Sequence, residues 1–313
     1  MFDRIMDFPG SFSDHILPKQ IHKLNVSFLV QEFRETFGGV AANIAYNLAL
    51  LNERPAIYGA VGKDFKDYEA RLRSYKIDLK GIKVYQNEYT ASCYITTDKN
   101  DNQIAGFFPG AMKFFGVKPK VKKRDIAIIA PGNAAEMLML ADYYFKSKTF
   151  FIFDPGQQII QFNKQQLNKA ILQSNIYIVN DYELSLTLKI TGLTKQQLLQ
   201  RAGVLITTLG KKGSTIEIFQ NHLYKKISIK TASVSDVKDP TGAGDAYRAG
   251  LIKGLLSAKL FGKIGLLELP WQTIGQTASL AAKYAVEQYG TQNHLYSYEQ
   301  FKKAYHKEFK RKL

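Results

Sequence analysis

The chain has 313 residues, of which 45% are hydrophobic and 22% charged, and 43 Lys and Arg against 27 Asp and Glu give it a formal net charge of +16. It has no apolar run of the roughly 18 residues that a membrane span needs, and no basic-then-apolar leader, so we expect a globular, cytoplasmic protein without a membrane partner. Cys93 is the only cysteine, which excludes an intramolecular disulfide and a multi-thiolate metal site.

The positive charge favours anionic partners, which could be a phosphorylated small molecule, a nucleic acid or an acidic membrane surface. The basic residues are scattered over predicted helix faces, apart from one cluster at Lys118, Lys120, Lys122, Lys123 and Arg124. This scatter favours a solvated basic surface over a dedicated polyanion site. A nucleic acid is therefore not the expected partner.

Short β-like runs occur in two parts of the N-terminal half, at residues 14 to 37 and 91 to 112. "LNVSFLV" (24–30) is a strand candidate in the first part, and "ASCYITTD" (91–98) and "QIAGFFP" (103–109) flank the turn-rich "KNDN" in the second. We predict that these runs form a small sheet that is attached to the main domain as a lid.

Between the two lid segments lies a glycine pair followed by a helical pattern. "FGGVAANIAYNLALLN" (37–52) predicts a helix from about Val40 to Leu51, with Ile44, Leu48 and Leu51 on one face. The next run, "AIYGAVG" (56–62), predicts a strand of the main core.

From about residue 120 the chain alternates short apolar runs with helical ones. The apolar runs are "IAIIA" (126–130), "FFIFD" (150–154), "IYIVN" (176–180) and "VLITTLG" (204–210). Continuous apolar strands separated by helices indicate a mostly parallel sheet with helices on both faces. "STIEIF" and "HLYKKISI" then predict a hairpin, and three helices follow to the end. We expect one α/β domain over residues 1–313.

A loop-to-helix junction, "VKDPTGAGDAYRAG" (237–250), combines bare backbone with one acid. Gly242, Ala243 and Gly244 leave main-chain N–H groups unobstructed, and the positive end of the helix dipole adds to them, so the turn predicts an anion site. Asp245 would repel a resting anion, but a carboxylate beside an anion hole can take a proton from a hydroxyl that attacks phosphorus. The alternative is that Asp245 only caps the helix.

This junction and three other motifs resemble the ribokinase-like, or PfkB, family of carbohydrate and nucleoside kinases. "FGGVAANIAYNLALLN" (37–52) is similar to the family's N-terminal glycine-pair signature, and "DPTGAGDAYRAG" (239–250) is similar to its C-terminal signature. "NDYE" (180–183) matches its N-x-x-E motif, and "TTLGKKGS" (207–214) resembles its nucleotide-side turn. The resemblance implies a ribokinase-like three-layer α/β fold, with a mostly parallel central sheet flanked by helices and a small β-sheet lid.

The resemblance also implies roles around the transferred phosphoryl group. Asp245 matches the family's general base, which deprotonates the substrate hydroxyl. Gly242, Ala243 and Gly244 match its anion hole, which neutralises charge on the phosphoryl oxygens.

ATP and Mg²⁺ are the implied cofactors. Asn180 and Glu183 match the pair that organises Mg²⁺ through water, although Glu183 could also be a plain surface acid of a helix. Thr208, Gly210 and Gly213 match the turn that approaches the ATP. "VEQYGTQNH" (286–294) lies where relatives hold a monovalent cation, so potassium dependence is a further hypothesis.

On the substrate side, Gly38, Gly39 and Asn43 match contacts to sugar hydroxyls, although a glycine pair also suits a tight strand-to-helix turn. Family members begin with a core strand that ends in a turn bearing a substrate-binding carboxylate. This sequence starts at Met1-Phe2-Asp3, so we expect the strand to be missing, and only Asp3 matches the turn. Either the true start lies upstream or the fold is compromised, because the neighbouring strands would lose their hydrogen-bond partners.

Within the family, "FDRIMDFPGSFSDHILPKQIHKLNVSFLV" (2–30) and "NQIAGFFPGAM" (102–112) look like a bacterial adenosine-kinase-like branch. The resemblance therefore implies an ATP-dependent kinase that phosphorylates the primary hydroxyl of a nucleoside, with adenosine, converted to AMP, as the first candidate. Phe28, Phe107 and Phe108 in the lid could stack on a purine, or they could form the lid's own core.

Two other functions stay open. The protein could be a PfkB-type sugar kinase acting on ribose, fructose or a related compound. It could also be a catalytically impaired family member that acts as a binding protein. A monomer and a homodimer are both compatible with the sequence.

Overall fold

The structure, a computed structural model, describes residues 1–16, 22–100, 102–122, 124–258 and 265–313. Its strands are β1 (Phe2–Asp7), β2 (Glu32–Phe37), β3 (Ala56–Gly62), β4 (Asp78–Tyr85), β5 (Ser92–Thr97), β6 (Gln103–Phe108), β7 (Ile126–Ile129), β8 (Phe150–Phe153), β9 (Ile176–Asn180), β10 (Val204–Thr208), β11 (Ser214–Gln220) and β12 (Leu223–Ile229). Its α-helices are α1 (Phe12–His15), α2 (Val40–Leu50), α3 (Lys66–Ser74), α4 (Ala134–Lys146), α5 (Lys164–Gln173), α6 (Asp181–Thr191), α7 (Lys195–Ala202), α8 (Ala243–Ser257), α9 (Trp271–Val286) and α10 (Tyr298–Phe309).

Some sequence predictions fall outside the described residues. These are residues 17–21 and 101 of the lid segments and Lys123 of the basic cluster. The other four members of that cluster are exposed, as a solvated basic surface requires. Across the described ranges, every helix is too short or too polar to span a lipid bilayer.

The main sheet has six strands in the order β12-β11-β10-β9-β8-β7. Strands β7 to β10 are parallel, and β11 and β12 form the predicted antiparallel hairpin at one edge. Alternate residues of these strands face opposite sides. Those on one side pack against α8 and α9, and they include Ile152, Ile178 and Ile206. Those on the other side pack against α4, α5 and α7, and they include Phe151, Tyr177 and Leu205. The predicted three-layer arrangement is confirmed.

A separate four-stranded sheet, in the order β2-β1-β5-β6, forms the lid. The predicted strands "ASCYITTD" and "QIAGFFP" are confirmed as β5 and β6. The prediction of a strand in "LNVSFLV" (24–30) was wrong, because the first lid segment becomes a strand only at Glu32. The reason is the length of its partner: β2 pairs with β1, and β1 ends at Asp7, shortly before Pro9, which cannot continue a ladder of hydrogen bonds.

The core strand β3 forms as predicted, but it pairs with β4 in a two-stranded parallel sheet apart from the six strands. Among the described residues, no strand lies between β3 and β7, and a cavity of about 710 Å³ separates them. Residues 2–7, where the chain begins, belong to the lid sheet instead. Among the described residues, no N-terminal segment therefore contributes a strand to the core sheets.

Helices α8 and α9 pack closely because α8 carries glycine where the two backbones meet. A Cβ atom built on Gly250 would lie 2.6 Å from the Cα of Ala278 and 2.7 Å from the carbonyl oxygen of Thr277, closer than side chains approach backbone. This contact holds α8, whose first turn carries Asp245, against the layer behind it.

We predict that Gly250→Ala destabilises the protein. Overpacking costs about 1–3 kcal/mol, which exceeds the roughly 1 kcal/mol that a helix gains when glycine is replaced by alanine. The urea unfolding midpoint should therefore fall. Gly106→Ala in β6 is the control, because its Cβ would meet no atom within 4 Å. A Gly250→Ala protein as stable as the parent would contradict the prediction.

Candidate active site

Several of the predicted functional residues meet at the carboxyl ends of three neighbouring parallel strands, where open α/β sheets bind ligands. Asp154 follows β8, Asn180 ends β9 and Thr208 ends β10. The first turn of α8 closes the group, and together they enclose a cavity of about 190 Å³. Its lining residues are Val40, Pro131, Asp154, Gly156, Gln157, Asn180, Glu183, Thr208, Gly244, Asp245 and Arg248.

The start of α8 presents free backbone donors to this cavity. Gly242, the residue before the helix, has a φ of +80°, which favours glycine, and a Cβ there would press on Thr291. The first four amides of a helix have no partner inside it. In α8 two of these four find acceptors just before the helix: Ala243 donates to the Pro240 carbonyl, and Ala246 donates to the Gly242 carbonyl. The amides of residues 244 and 245 accordingly remain available within the described chain, as an anion hole needs.

Asp245 is held by Asn43, a residue of the first turn of α2. Asn43 Nδ2 donates to Asp245 Oδ2 at 2.8 Å. Asn43 Oδ1 accepts from Thr291 Oγ1 at 3.0 Å and from Gln292 Nε2 at 2.8 Å, so the amide has one possible orientation. No described residue donates to the second oxygen, Asp245 Oδ1. That oxygen is free to accept a proton from a ligand.

Burial raises the pKa of the Asp245 carboxyl to about 6. The hydrogen bond from Asn43 and the charge of Arg248 oppose the rise, whereas the charges of Asp154 and Asp3 add to it. A carboxylate with a pKa just below neutral pH is ionised at pH 7 and is a stronger base than an exposed aspartate. This environment suits a general base better than a helix cap, and no side-chain capping bond is made here.

Asp154 and Arg248 are site residues that the sequence analysis missed. The Arg248 guanidinium makes a bidentate ion pair with Asp154, in which Nη2 donates to Oδ1 at 2.6 Å and Nε donates to Oδ2. Its Nη1 donates to the Gly244 carbonyl at 3.0 Å. Although burial disfavours its charged form, the neighbouring acids raise the pKa of Arg248 above its ordinary value. A permanent positive charge therefore lies beside Asp245.

Sequence signals for this pair were present but weak. Asp154 ends the run "FFIFD" at the ligand-binding edge of the sheet, and Arg248 follows Asp245 by three residues, on the same face of α8. Nothing local indicates that residues 94 positions apart will pair.

Asn180 and Glu183 form a capping box at the start of α6. Asn180 Oδ1 accepts from the Glu183 amide at 2.7 Å, and Glu183 Oε2 accepts from the Asn180 amide at 2.8 Å. Glu183 is partly buried and lines the cavity, so it is not a fully exposed acid of the helix surface, and its role toward Mg²⁺ stays a prediction. Burial raises the pKa of Glu183, and its other oxygen accepts no hydrogen bond from the described residues.

The acidic lining of the cavity fits a cation that enters with a polyphosphate. In the described part of the chain, no three acidic, His or Cys side chains cluster closely enough to hold a metal ion. Asp154, Glu183 and Asp245 face one guanidinium, that of Arg248, so the ionised cavity has a formal charge of −2. A polyphosphate would be repelled from such a cavity unless a cation accompanied it.

The turn after β10 places one of its three predicted residues in the cavity. Thr208 lines it, whereas Gly210 and Gly213 do not. Both glycines have positive φ values, +56° and +88°, and a Cβ on Gly213 would overlap the Ile229 carbonyl. The geometry of the turn thus accounts for these glycines, and an approach of the backbone to ATP stays a prediction.

The glycine pair and Asp3 lie together on the substrate side. A Cβ on Gly38 would overlap the Asp3 carboxylate, and the Gly38 amide donates to the Met1 carbonyl at 3.0 Å. Gly39 has a φ of +96° and precedes α2. Burial raises the pKa of Asp3, whose charge contributes to the raised pKa of Asp245. The lid strand β1 thus brings Asp3 to the site although the core strand is absent.

The three lid aromatics separate into two groups. Phe28 packs on Phe8 and Phe12, with ring centroids 4.8 and 4.9 Å apart, and so belongs to the lid's own core. Phe107 and Phe108 are 48% and 43% exposed, and Phe107 lines the large cavity. These two rings are available to a ligand.

Comparison with known proteins identifies the family of the chain. The model of the pfkB family carbohydrate kinases matches residues 10–297. The nucleoside kinase of Methanocaldococcus jannaschii is 31% identical over 274 residues, which are 87% of this chain and 86% of that protein.

Solved structures give the same result. Burkholderia thailandensis nucleoside kinase in complex with inosine matches with a TM-score of 0.83 at 30% identity, covering 99% of this chain and 96% of that chain. The same kinase in complex with ADP-inosine matches with a TM-score of 0.81 at 32% identity, covering 99% and 94%. The chain therefore belongs to the PfkB family of carbohydrate kinases, has the ribokinase-like α/β fold, and is a kinase that phosphorylates a hydroxyl group.

Proposed function

We propose that the protein is an ATP-dependent nucleoside kinase that phosphorylates the primary hydroxyl of the ribose, with adenosine, converted to AMP, as the first candidate substrate. The observation that carries this proposal is the position of Asp245, whose free Oδ1 lies beside the available amides at the start of α8. The nucleoside part of the proposal is supported by the relatives, which are nucleoside kinases.

In the proposed reaction Asp245 Oδ1 accepts the proton of the substrate hydroxyl. The hydroxyl oxygen forms a bond to the γ-phosphorus, and the bond from that phosphorus to the bridging oxygen breaks, so ADP leaves. The α8 amides and Arg248 stabilise the charge on the phosphoryl oxygens. When bound, Mg²⁺ would neutralise phosphate charge, with Asn180 and Glu183 holding its water ligands. Potassium dependence remains a hypothesis for the segment 286–294.

The substrate would lie between the lid and the strand ends. Asp3 and the backbone of Gly38 and Gly39 would hold the ribose hydroxyls. Asn43 would hold the general base, the Asp245 carboxylate, next to the reacting oxygen. The exposed ring of Phe107, which lines the large cavity, would contact the nucleobase.

A substrate panel tests this proposal. With ATP, purine nucleosides should have a kcat/KM about 10- to 100-fold above that of ribose or fructose, since a stacked base contributes about 1–3 kcal/mol. Phe107→Leu should reduce that preference, whereas Phe33→Leu, an exposed lid aromatic on β2, should not. A preference for free sugars would favour the sugar kinase, and nucleoside binding without turnover would favour the binding protein.

The role of Asp245 predicts a mutational effect and a pH dependence. Asp245→Asn keeps the shape and an acceptor for Asn43 but cannot take a proton, so kcat should fall by about 10²-fold or more. In the parent, kcat/KM should decline as the pH drops through about 6, because protonation removes the base. Asp236→Asn, at an exposed aspartate nine residues earlier, is the control and should change neither. An Asp245→Asn enzyme within a few-fold of the parent would disprove the role.

Asp154 and Arg248 should shift this pH profile in opposite directions. Arg248 lowers the pKa of Asp245 and Asp154 raises it. The acidic limb of kcat/KM should therefore move to higher pH in Arg248→Met and to lower pH in Asp154→Asn. Arg248→Lys keeps the positive charge, so the pH at which kcat/KM declines should return toward that of the parent. Limbs that moved in the same direction, in variants shown to be folded by circular dichroism, would contradict the assignment.

A further inference from the structure

The loop after α9 brings a buried glutamine, Gln292, against the active site. Gln292 is 3% exposed and lies in the segment 286–294, for which the sequence indicated only a monovalent cation. Its side chain contacts groups on two sides of the site, Asn43 of α2 and Tyr68 of α3. A primary amide carries two donor hydrogens and one acceptor oxygen, so three partners fix its orientation completely.

One hydrogen of Gln292 is directed to the side of the proposed base. Gln292 Nε2 donates to Asn43 Oδ1 at 2.8 Å, and Asn43 Nδ2 donates to Asp245 Oδ2 at 2.8 Å. The Thr291 hydroxyl has two acceptors at 3.0 Å, Asn43 Oδ1 and the Phe37 carbonyl, and it shares its one hydrogen between them. Gln292 is therefore the one undivided donor to Asn43 Oδ1 in the described part of the chain.

The other hydrogen of Gln292 is directed to the substrate side. Gln292 Nε2 donates to the Tyr68 hydroxyl at 2.5 Å, and that hydroxyl donates to the Gly38 carbonyl at 3.0 Å. Tyr68 is 1% exposed and stacks on Phe37, which precedes the glycine pair. The same amide nitrogen thus holds the backbone at Gly38, where the ribose is proposed to bind, and the partner of the base.

Arg71 of α3 holds the main chain and the acceptor oxygen of Gln292. Arg71 Nη2 donates to the Gln292 carbonyl at 2.5 Å, and Arg71 Nε lies 3.5 Å from Gln292 Oε1. Because Oε1 faces a donor, Nε2 has to face Asn43 and Tyr68, and the amide cannot be reversed. The guanidinium also lies 5.5–5.7 Å from the ring centroids of three aromatic residues, Phe37, Tyr46 and Tyr75.

The next residues of the loop keep Gln292 in place. His294 is 2% exposed, and its Nε2 lies 2.8 Å from Asn47 Oδ1. Asn47 lies one helical turn after Asn43 and donates from Nδ2 to the Asn43 carbonyl at 2.9 Å. The loop therefore contacts α2 at two successive turns, which fixes Gln292 relative to the helix.

We propose that Gln292 is a positioning residue of the kinase reaction, whose side-chain amide sets the distance and angle between the ribose-binding glycine pair and the Asp245 carboxylate. The inference rests on the proposed role of Asp245 as the base. Phosphoryl transfer needs the reacting groups about 3–3.5 Å apart and in line, and a misplacement of about 1 Å can cost about 10²-fold in rate. Loss of the amide should therefore affect both substrate binding and the base.

Gln292→Met tests the proposal, because methionine has a similar volume but donates no hydrogen bond. Without the undivided donor the Asn43 amide can turn, and Asp245 then loses the hydrogen bond that lowers its pKa. A higher pKa moves the decline of kcat/KM to higher pH. In addition, kcat should fall by about tenfold or more and the nucleoside KM should rise. The variant leaves in place the charged groups that face Asp245, which are Asp3 of β1, Asp154 after β8, Glu183 of α6 and Arg248 of α8.

Two further variants separate the two sides of the network. Tyr68→Phe removes only the bond to Gly38, so the nucleoside KM should rise while the acidic limb of kcat/KM stays at the pH of the parent. Gln288→Met, at an exposed glutamine four residues earlier, is the control and should change neither. Circular dichroism at each pH verifies that the variants are folded.

A folded Gln292→Met protein with the acidic limb and nucleoside KM of the parent would overturn the inference. An equal loss of activity at every pH with an unchanged nucleoside KM, the result of a purely structural role, would also overturn it. If Gln292→Met does not fold, an unchanged nucleoside KM in Tyr68→Phe has the same consequence. Failure of the proposed function is distinguishable, because Asp245→Asn would then stay active and the parent would have no acidic limb; the inference would fall with it.

Discussion

The hydrogen bond from Asn43 to Asp245 joins the first turns of two helices that lie 202 residues apart in the chain. Thr291 and Gln292 donate to the side-chain carbonyl oxygen of Asn43, so its amide nitrogen faces Asp245. Three segments, the glycine-pair turn, the α8 junction and the loop near residue 291, are thereby tied at one point. The orientation of the proposed base, the direction of the α8 amides and the position of the glycine pair all depend on it.

Electrostatics makes the same region costly to build. One small cavity is lined by three acidic side chains and one basic side chain, those of Asp154, Glu183, Asp245 and Arg248. Asp154 holds Arg248 by two hydrogen bonds, so the one positive charge cannot turn away. Burial, together with the charges of Asp154 and Asp3, raises the pKa of Asp245. The net negative charge of the cavity favours a cation beside a bound polyphosphate. Phosphoryl transfer needs both features: a fixed positive charge near the phosphoryl group, and a carboxylate that can accept a proton.

The lid and the divided core are linked through the first residues of the chain. Strand β1 lies in the lid sheet, yet its Asp3 lies against Gly38, and Met1 lines the cavity between β3 and β7. The same few residues belong to the packing of the core and to the proposed ribose contacts.

Local sequence determined many of the elements and turns. The pattern of apolar residues indicated α2, the parallel strands β7 to β10 and the β11–β12 hairpin. Asn180 and Glu183 have the three-residue spacing of a capping box, which the structure forms. These features depend on neighbours a few residues apart. Tertiary structure alone decided that Asp154 pairs with Arg248, that Phe28 packs inside the lid while Phe107 is exposed, and that β3 and β7 face each other across a cavity. Each of these depends on segments that are distant in the sequence meeting in space. No local sequence pattern indicates which distant segments will meet.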